Sequence, residues 1–259
     1  MIGIKGHWDH VVDPKPAPYH LLFLHGHHSS GPEMAEALGM HIRRELEQRF
    51  PGQFKLHFPD GPVHIPGANR SSWCQIQDAI VQAERTGVSV DPAFVNKALD
   101  AQVPVVRTNL IEPLLRREQI DPSQLFIAGF SVGACMVTRL QRADQPYGGM
   151  ICFSGAFYAP PSEKEAAKTP ILFSAGTAEG GRDFAVEAHT RYREARHPAR
   201  LSLISGQKHE VSPAAIVKAV SFIGHCIREA PAAAHPVARH PVAHPAVHNS
   251  SQWAAPSFG

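Results

Sequence analysis

Short apolar runs alternate with longer amphipathic stretches along most of this chain. Tyr19-His20-Leu21-Leu22-Phe23-Leu24 reads as a buried strand closed by His25-Gly26. Residues 32–50 then carry apolar side chains at helical spacing, with Met34, Leu38, Ile42 and Leu46 on one face. Phe54-Lys55-Leu56-His57-Phe58 alternates like a strand and stops at Pro59. Residues 59–72, rich in Pro, Gly, Asn and Ser, read as a loop. Residues 93–117 predict one or two helices, with an apolar face over 103–115 and Pro104 marking a break or a start. Residues 125–128 form another apolar run, followed by a helix-like segment over 134–142. Residues 149–155 and 170–176 are two further buried strands, each leaving through a glycine. Residues 183–195 are helical, 199–204 form a last strand, and 213–228 form a closing helix with Ile216, Val220, Phe222, Ile223 and Ile227 available for burial.

Apolar strands separated by amphipathic helices predict an α/β fold, with a mainly parallel sheet covered by helices on both faces. The chain of 259 residues is long enough for one sizeable core. We expect a single domain over residues 19–229, preceded by an N-terminal extension or edge hairpin over 1–18. Residues 230–259 differ in kind. Ala, Pro and His dominate, and His235-Pro236-Val237-Ala238 recurs at His240-Pro241-Val242-Ala243. A disordered or polyproline-like tail is expected there.

Composition narrows the function. The formal net charge of +2 gives no electrostatic case for nucleic acid. No apolar stretch approaches the ~20 residues that cross a bilayer. The first ten residues lack a charged start followed by an apolar core, so no secretory signal is read there. Cys74, Cys135, Cys152 and Cys226 are far apart with no C-x-x-C, as expected of reduced thiols in or near a core. A cytoplasmic location follows as an expectation.

The most informative stretch is Leu125-Phe126-Ile127-Ala128-Gly129-Phe130-Ser131-Val132-Gly133. Gly-x-Ser-x-Gly between a strand and a helix is the context of a nucleophile elbow. The turn there is so tight that the serine is held at strained backbone angles with its hydroxyl exposed. Glycines two residues to either side remove the Cβ atoms that would collide.

A serine hydroxyl is a poor nucleophile at neutral pH and needs a base, which in turn needs an orienting acid. In elbow hydrolases these follow in the order Ser, Asp or Glu, His. Glu179 and Asp183 follow the strand ending at Gly176, and His209 follows the strand ending at Ile204. All sit past the C-terminal ends of predicted parallel strands, whose loops open on one sheet edge. The backbone N–H groups of Val132 and of His27, in the loop after the first strand, are the expected oxyanion donors.

Longer matches extend this pattern. They comprise Leu22-Phe23-Leu24-His25-Gly26; Pro59-Asp60-Gly61-Pro62 with Arg70-Ser71-Ser72-Trp73; Ile120-Asp121-Pro122-Ser123-Gln124-Leu125 leading into Ala128-Gly129-Phe130-Ser131-Val132-Gly133-Ala134; and Gly206-Gln207-Lys208-His209-Glu210-Val211-Ser212-Pro213. On these segments the chain resembles the carboxylesterase, phospholipase and acyl-protein thioesterase group of α/β-hydrolases. The resemblance implies the α/β-hydrolase fold and serine-dependent cleavage of carboxylic esters or thioesters through an acyl-enzyme, with no cofactor. Two positions depart from the group. Its usual His-Gly-x-x-Asp is Ala175-Gly176-Thr177-Ala178-Glu179 here, and its frequent Gln after the serine is Val132. Glu179 is the preferred acid by motif position, with Asp183 the competitor. The other readings are a hydrolase-fold protein that binds without turnover, and a hydrolase of another acyl substrate such as a peptide or a polyester fragment.

Trp73 and Phe130 are assigned to the substrate pocket, although simple packing explains Trp73 as well. His25, His27 and His28 have no carboxylate or cysteine at ligand spacing, so no metal is expected there. The tail histidines His235, His240, His244 and His248 are read as solvated, without a specific ligand. The partner is a small ester or thioester substrate; oligomeric state stays open.

Overall fold

The computed structural model describes residues 17–87, 91–141, 144–155 and 169–230. The tail expected over 230–259 lies outside them apart from Ala230, as does the N-terminal extension apart from residues 17 and 18.

Strands β1 (Tyr19–Leu24) and β2 (Phe54–His57) flank helix α1 (Gly31–Arg49). The segment expected to be a plain loop contains a two-residue antiparallel pair, β3 (Val63–His64) with β4 (Ser71–Ser72). Then follow α2 (Gln77–Thr86), which has no counterpart among the sequence expectations, and α3 (Pro92–Val106). Pro104 lies inside α3. Instead of breaking there, the helix widens into a π turn (Arg107–Ile111) and continues as α4 (Glu112–Glu118). The remaining elements are β5 (Leu125–Phe130), α5 (Val132–Arg139), β6 (Gly149–Phe153), β7 (Ile171–Gly176), α6 (Arg182–Glu194), β8 (Ala199–Ile204) and α7 (Pro213–Glu229).

The main sheet runs β2-β1-β5-β6-β7-β8, and every pairing in it is parallel. Alternate side chains on the inner strands enter two separate cores. Leu21 and Phe23 join Ile151, Phe153 and Leu172 under α1 and α7. Leu22 and Leu24 join Ile127, Cys152 and Phe173 under α3, α5 and α6. Burial on both faces is why the interior strands β5, β6 and β7 read as continuous apolar runs, while the edge strands β2 and β8 alternate. Caps set several helix starts: Ser30, Asp91 and Ser212 accept N–H bonds from Glu33, Ala93 and Ala215.

Strand order reverses between β1 and β5. The chain leaves β1 toward β2 on one side and leaves β5 toward β6 on the other. Crevices for ligands open at such a switch point, outside the carboxyl ends of the strands. The loops after β1 and β5 straddle it.

Candidate active site

Ser131 has φ 53° and ψ −119°, a backbone conformation that L residues avoid. The strain is held by close packing. A Cβ at Gly129 would lie 2.5 Å from the Gly133 carbonyl, and one at Gly133 would lie 2.3 Å from the Leu24 oxygen. Both glycines are therefore required by contact as well as by the turn. The Ser131 N–H donates to the Phe153 carbonyl at 2.9 Å, which ties the elbow to the neighbouring strand. Helix α5 begins at Val132, so its N–H belongs to the first turn, where a helix supplies no internal acceptor.

His209 lies between Ser131 and Glu179. Its Nε2 is 3.1 Å from the Ser131 hydroxyl, and its Nδ1 is 3.3 Å from Glu179 Oε2. The carboxylate can only accept, so Nδ1 carries the hydrogen and Nε2 presents its lone pair to the serine. The other carboxylate oxygen of Glu179 accepts from the Gly176 N–H at 3.2 Å. The Glu179 side chain is 1% exposed, whereas the His209 side chain is 54% exposed. The base is thus open to a substrate while its acid is sheltered. Asp183 points to solvent and pairs with Arg182. Of the two acids expected from sequence, only Glu179 is brought to the imidazole.

The acid loop and the base loop are bonded to each other. The Thr177 N–H donates to Ile204 O at 2.9 Å, the Ala178 N–H to Gln207 O at 3.0 Å, and the Gly206 N–H to Thr177 Oγ1 at 2.9 Å. Buried Gln207 braces the base loop from within, donating to the Glu210 carbonyl and accepting from the Ser212 hydroxyl. The extra methylene of Glu relative to Asp is accommodated between these two loops.

The loop after β1 abuts the elbow: a Cβ at Gly26 would lie 3.6 Å from that of Ser131 and 3.1 Å from the Phe130 ring. His25 is fully buried, and burial pushes its pKa below the usual imidazole range. Its Nδ1–H donates to the Gly26 carbonyl at 2.6 Å, while its Nε2 accepts from the Gly61 N–H and the Ser71 hydroxyl, each at 3.0 Å. His25 is therefore a neutral structural strut. The ring nitrogens of His27 meet Ser72 and Gln77, and exposed His28 meets Arg70.

Phe130 is half-buried, with its ring 4.9 Å from that of His209, so it lines the cleft. Trp73 does not: it is 0% exposed, and its indole N–H donates to the His25 carbonyl at 2.8 Å. The pocket expectation for Trp73 is corrected to packing behind the loop. Ser72, Gln77 and Gln207 were not anticipated. Their partners lie far along the chain or in irregular loops, where no periodic signal exists.

Among the described residues, one group of His, Cys, Asp or Glu is close enough to share a cation: His20, His57 and Glu118. Its groups already serve one another. His20 Nδ1 and His57 Nε2 are hydrogen-bonded at 2.8 Å, and Glu118 receives Lys55 at 2.8 Å and Arg117 at 2.9 Å. Two cations beside the carboxylate oppose a third. Burial lowers His20 to about 4 and His57 to about 3, so both rings are neutral near pH 7.

A sequence model of the phospholipase/carboxylesterase family matches residues 9–227. No curated protein matches the sequence. Among solved structures, the chain is similar to esterase PE8, with TM-score 0.67 and 21% identity over 81% of this chain and 93% of that one. It is also similar to SOBER1 from Arabidopsis thaliana, with TM-score 0.60 and 23% identity over 81% and 99%. A carboxylesterase from Mesorhizobium loti has TM-score 0.55 and 13% identity over 81% and 90%. At these identities the structural likeness establishes the α/β-hydrolase fold.

Proposed function

The chain belongs to the phospholipase/carboxylesterase family and is an ester-cleaving serine hydrolase; from that premise we propose that it is of the carboxylesterase or thioesterase type and works through Ser131, His209 and Glu179. The observation that carries this assignment is the single imidazole bridging the Ser131 hydroxyl and the Glu179 carboxylate.

Ser131 attacks the acyl carbonyl as His209 Nε2 takes its proton. Glu179 keeps the tautomer correct and stabilises the imidazolium that forms. The N–H groups of His27 and Val132 hold the oxyanion. Losing one such donor costs about 2.7–4 kcal/mol of transition-state stabilisation. His209 returns its proton to the departing alcohol or thiol, leaving an acyl-Ser131 ester. Water, deprotonated by His209, then attacks that ester and releases the acid. No step calls for a cofactor.

The substrate class is a small acyl ester or thioester, approaching over Phe130 and the exposed face of His209. Residues 19–229 form the catalytic domain. Among the described residues no helix is long and apolar enough to cross a membrane. The four cysteines are all free and buried, which favours a reducing, cytoplasmic setting.

The test is hydrolysis of p-nitrophenyl acetate and butyrate by the full chain. Ser131→Ala should lose at least three orders of magnitude in kcat. Equal rates for this variant and the parent would remove Ser131 from the reaction.

A further inference from the structure

We propose that Ser72 and Gln77 are positioning residues for the oxyanion hole, acting through the side chain of His27. The inference rests on the ester-hydrolase reading of the site and extends it to residues outside the triad.

The loop over residues 25–29 is fastened to the strap over residues 70–77 at nearly every position. Arg70 meets His28 at 3.2 Å. The Ser71 N–H donates to the Ser29 carbonyl at 2.8 Å, and the Ser71 hydroxyl meets His25 Nε2. The Trp73 indole N–H holds the His25 carbonyl. His27 is gripped twice, by Ser72 Oγ at Nδ1 (2.9 Å) and by Gln77 Oε1 at Nε2 (2.7 Å).

Two bonds at opposite corners of a rigid ring fix both of its side-chain torsions. They also fix the protonation pattern. Gln77 Oε1 can only accept, so Nε2 carries the hydrogen, and Nδ1 accepts the Ser72 hydroxyl proton. With both ring nitrogens engaged, the imidazole serves as a strut rather than as a group offered to the substrate.

A strut is needed here because the next residue is strained. His28 has φ 57°, a left-handed conformation that a residue with a Cβ keeps only where its surroundings impose it. The peptide between His27 and the buried Gly26 carries the proposed oxyanion donor. Fixing the His27 ring on one side and His25 on the other aims that N–H toward Ser131 before substrate arrives. Such preorganised donors act on the transition state and leave ground-state binding largely alone.

The experiment uses the full chain and three variants. Gln77→Met keeps the length and removes the acceptor; Gln77→Glu keeps an acceptor; Ser72→Ala removes the hydroxyl donor. For each, kcat and KM for p-nitrophenyl butyrate, the inhibition constant of an alkyl trifluoromethyl ketone, and the melting temperature are measured. The ketone adds to the serine and places an oxyanion in the hole. Gln77→Met and Ser72→Ala should lower kcat about tenfold, weaken the ketone by a similar factor and leave KM within twofold, with Gln77→Glu close to the parent. Unchanged kcat and ketone affinity in Gln77→Met and Ser72→Ala would overturn the inference. So would a loss of kcat shared equally by Gln77→Glu and accompanied by a fall in melting temperature. Ser131→Ala run alongside separates the two readings. If it matches the parent, the hydrolytic assignment itself fails; if it is inactive while the Gln77 and Ser72 variants behave like the parent, only the positioning role fails.

Discussion

Glu179 turns one carboxylate oxygen to the His209 ring at 3.3 Å and the other to the Gly176 N–H at 3.2 Å. The pair joins two loops that follow adjacent strands, β7 and β8, and it reads Glu where the resembling sequences carry Asp. Shortening the side chain by one methylene withdraws the carboxylate by ~1.5 Å, one C–C bond. Glu179→Asp should therefore lower kcat by about tenfold, and Glu179→Gln by a hundredfold or more, since the amide presents a donor as readily as an acceptor to Nδ1–H. Asp183→Asn should stay within twofold of the parent. Steady-state kinetics with p-nitrophenyl butyrate reads all three, and a larger loss from Asp183→Asn than from Glu179→Gln would reverse the assignment of the acid.

The elbow depends on a methyl-sized gap. A Cβ at Gly133 would sit 2.3 Å from the Leu24 oxygen and 2.4 Å from the His25 oxygen, both backbone atoms that cannot swing away. Gly133→Ala must push α5 from β1 or fail to fold. We expect a loss of roughly 3 kcal/mol or more, at the upper end of overpacking costs. Urea denaturation should show it, and a variant as stable as the parent would contradict the packing described.

Trp73 contributes through its N–H as well as its bulk. Trp73→Phe keeps an aromatic ring and leaves the buried His25 carbonyl without its 2.8 Å donor. An orphaned buried acceptor costs about 1–3 kcal/mol. The urea midpoint should fall accordingly, and kcat should fall with it, because the carbonyl belongs to the loop that bears His27. An unchanged midpoint would show that the bond contributes nothing.

The His20–His57 pair makes the fold acid-sensitive. Both rings stay neutral in the folded protein to well below the ordinary imidazole value of 6.5, with folded values of about 4 and about 3. Unfolding lets them take up protons at 6.5, so between pH 6.5 and pH 4 the unfolded state binds more protons than the folded one. Stability contributed by the pair is full above pH 6.5 and drains as pH falls toward 4. Urea unfolding of the parent and of a His20→Phe/His57→Leu variant at pH 4.5 and 7.5 should show a smaller pH difference in the variant. Equal pH differences would rule the pair out as a source of acid lability.

Much of this architecture was legible in the chain because its signals are local. Continuous apolar runs marked the interior strands β5, β6 and β7, which are buried on both faces, whereas the edge strands β2 and β8, each paired on one side only, showed instead as alternation of apolar and polar residues. The elbow was legible because the strained turn demands glycines at fixed offsets from Ser131. Glu179 and His209 were legible as loop residues past strand ends, where a parallel sheet gathers its functional groups. Other features left no such trace. The β3–β4 pair left no trace because strands of two residues among Pro, Gly and Ser are too short to show a period, whereas α2, whose segment Gln77–Thr86 holds no Pro or Gly, is amphipathic and carried a local signal of its own. Pro104 suggested an end or a beginning, yet tertiary packing of Val106, Leu110 and Ile111 carried the helix onward through a wide turn.

The alternation of strand and helix, the serine and the order of its partners were thus written in the sequence, because propensity and turn chemistry act over a few neighbouring residues. The choice of Glu179 over Asp183 beside His209, the removal of Trp73 from the cleft, and the grip of Ser72 and Gln77 on His27 were settled only by the tertiary structure. Those relationships join side chains 30 to 50 positions apart through single directed bonds, and a bond between distant residues imposes no pattern on the residues in between.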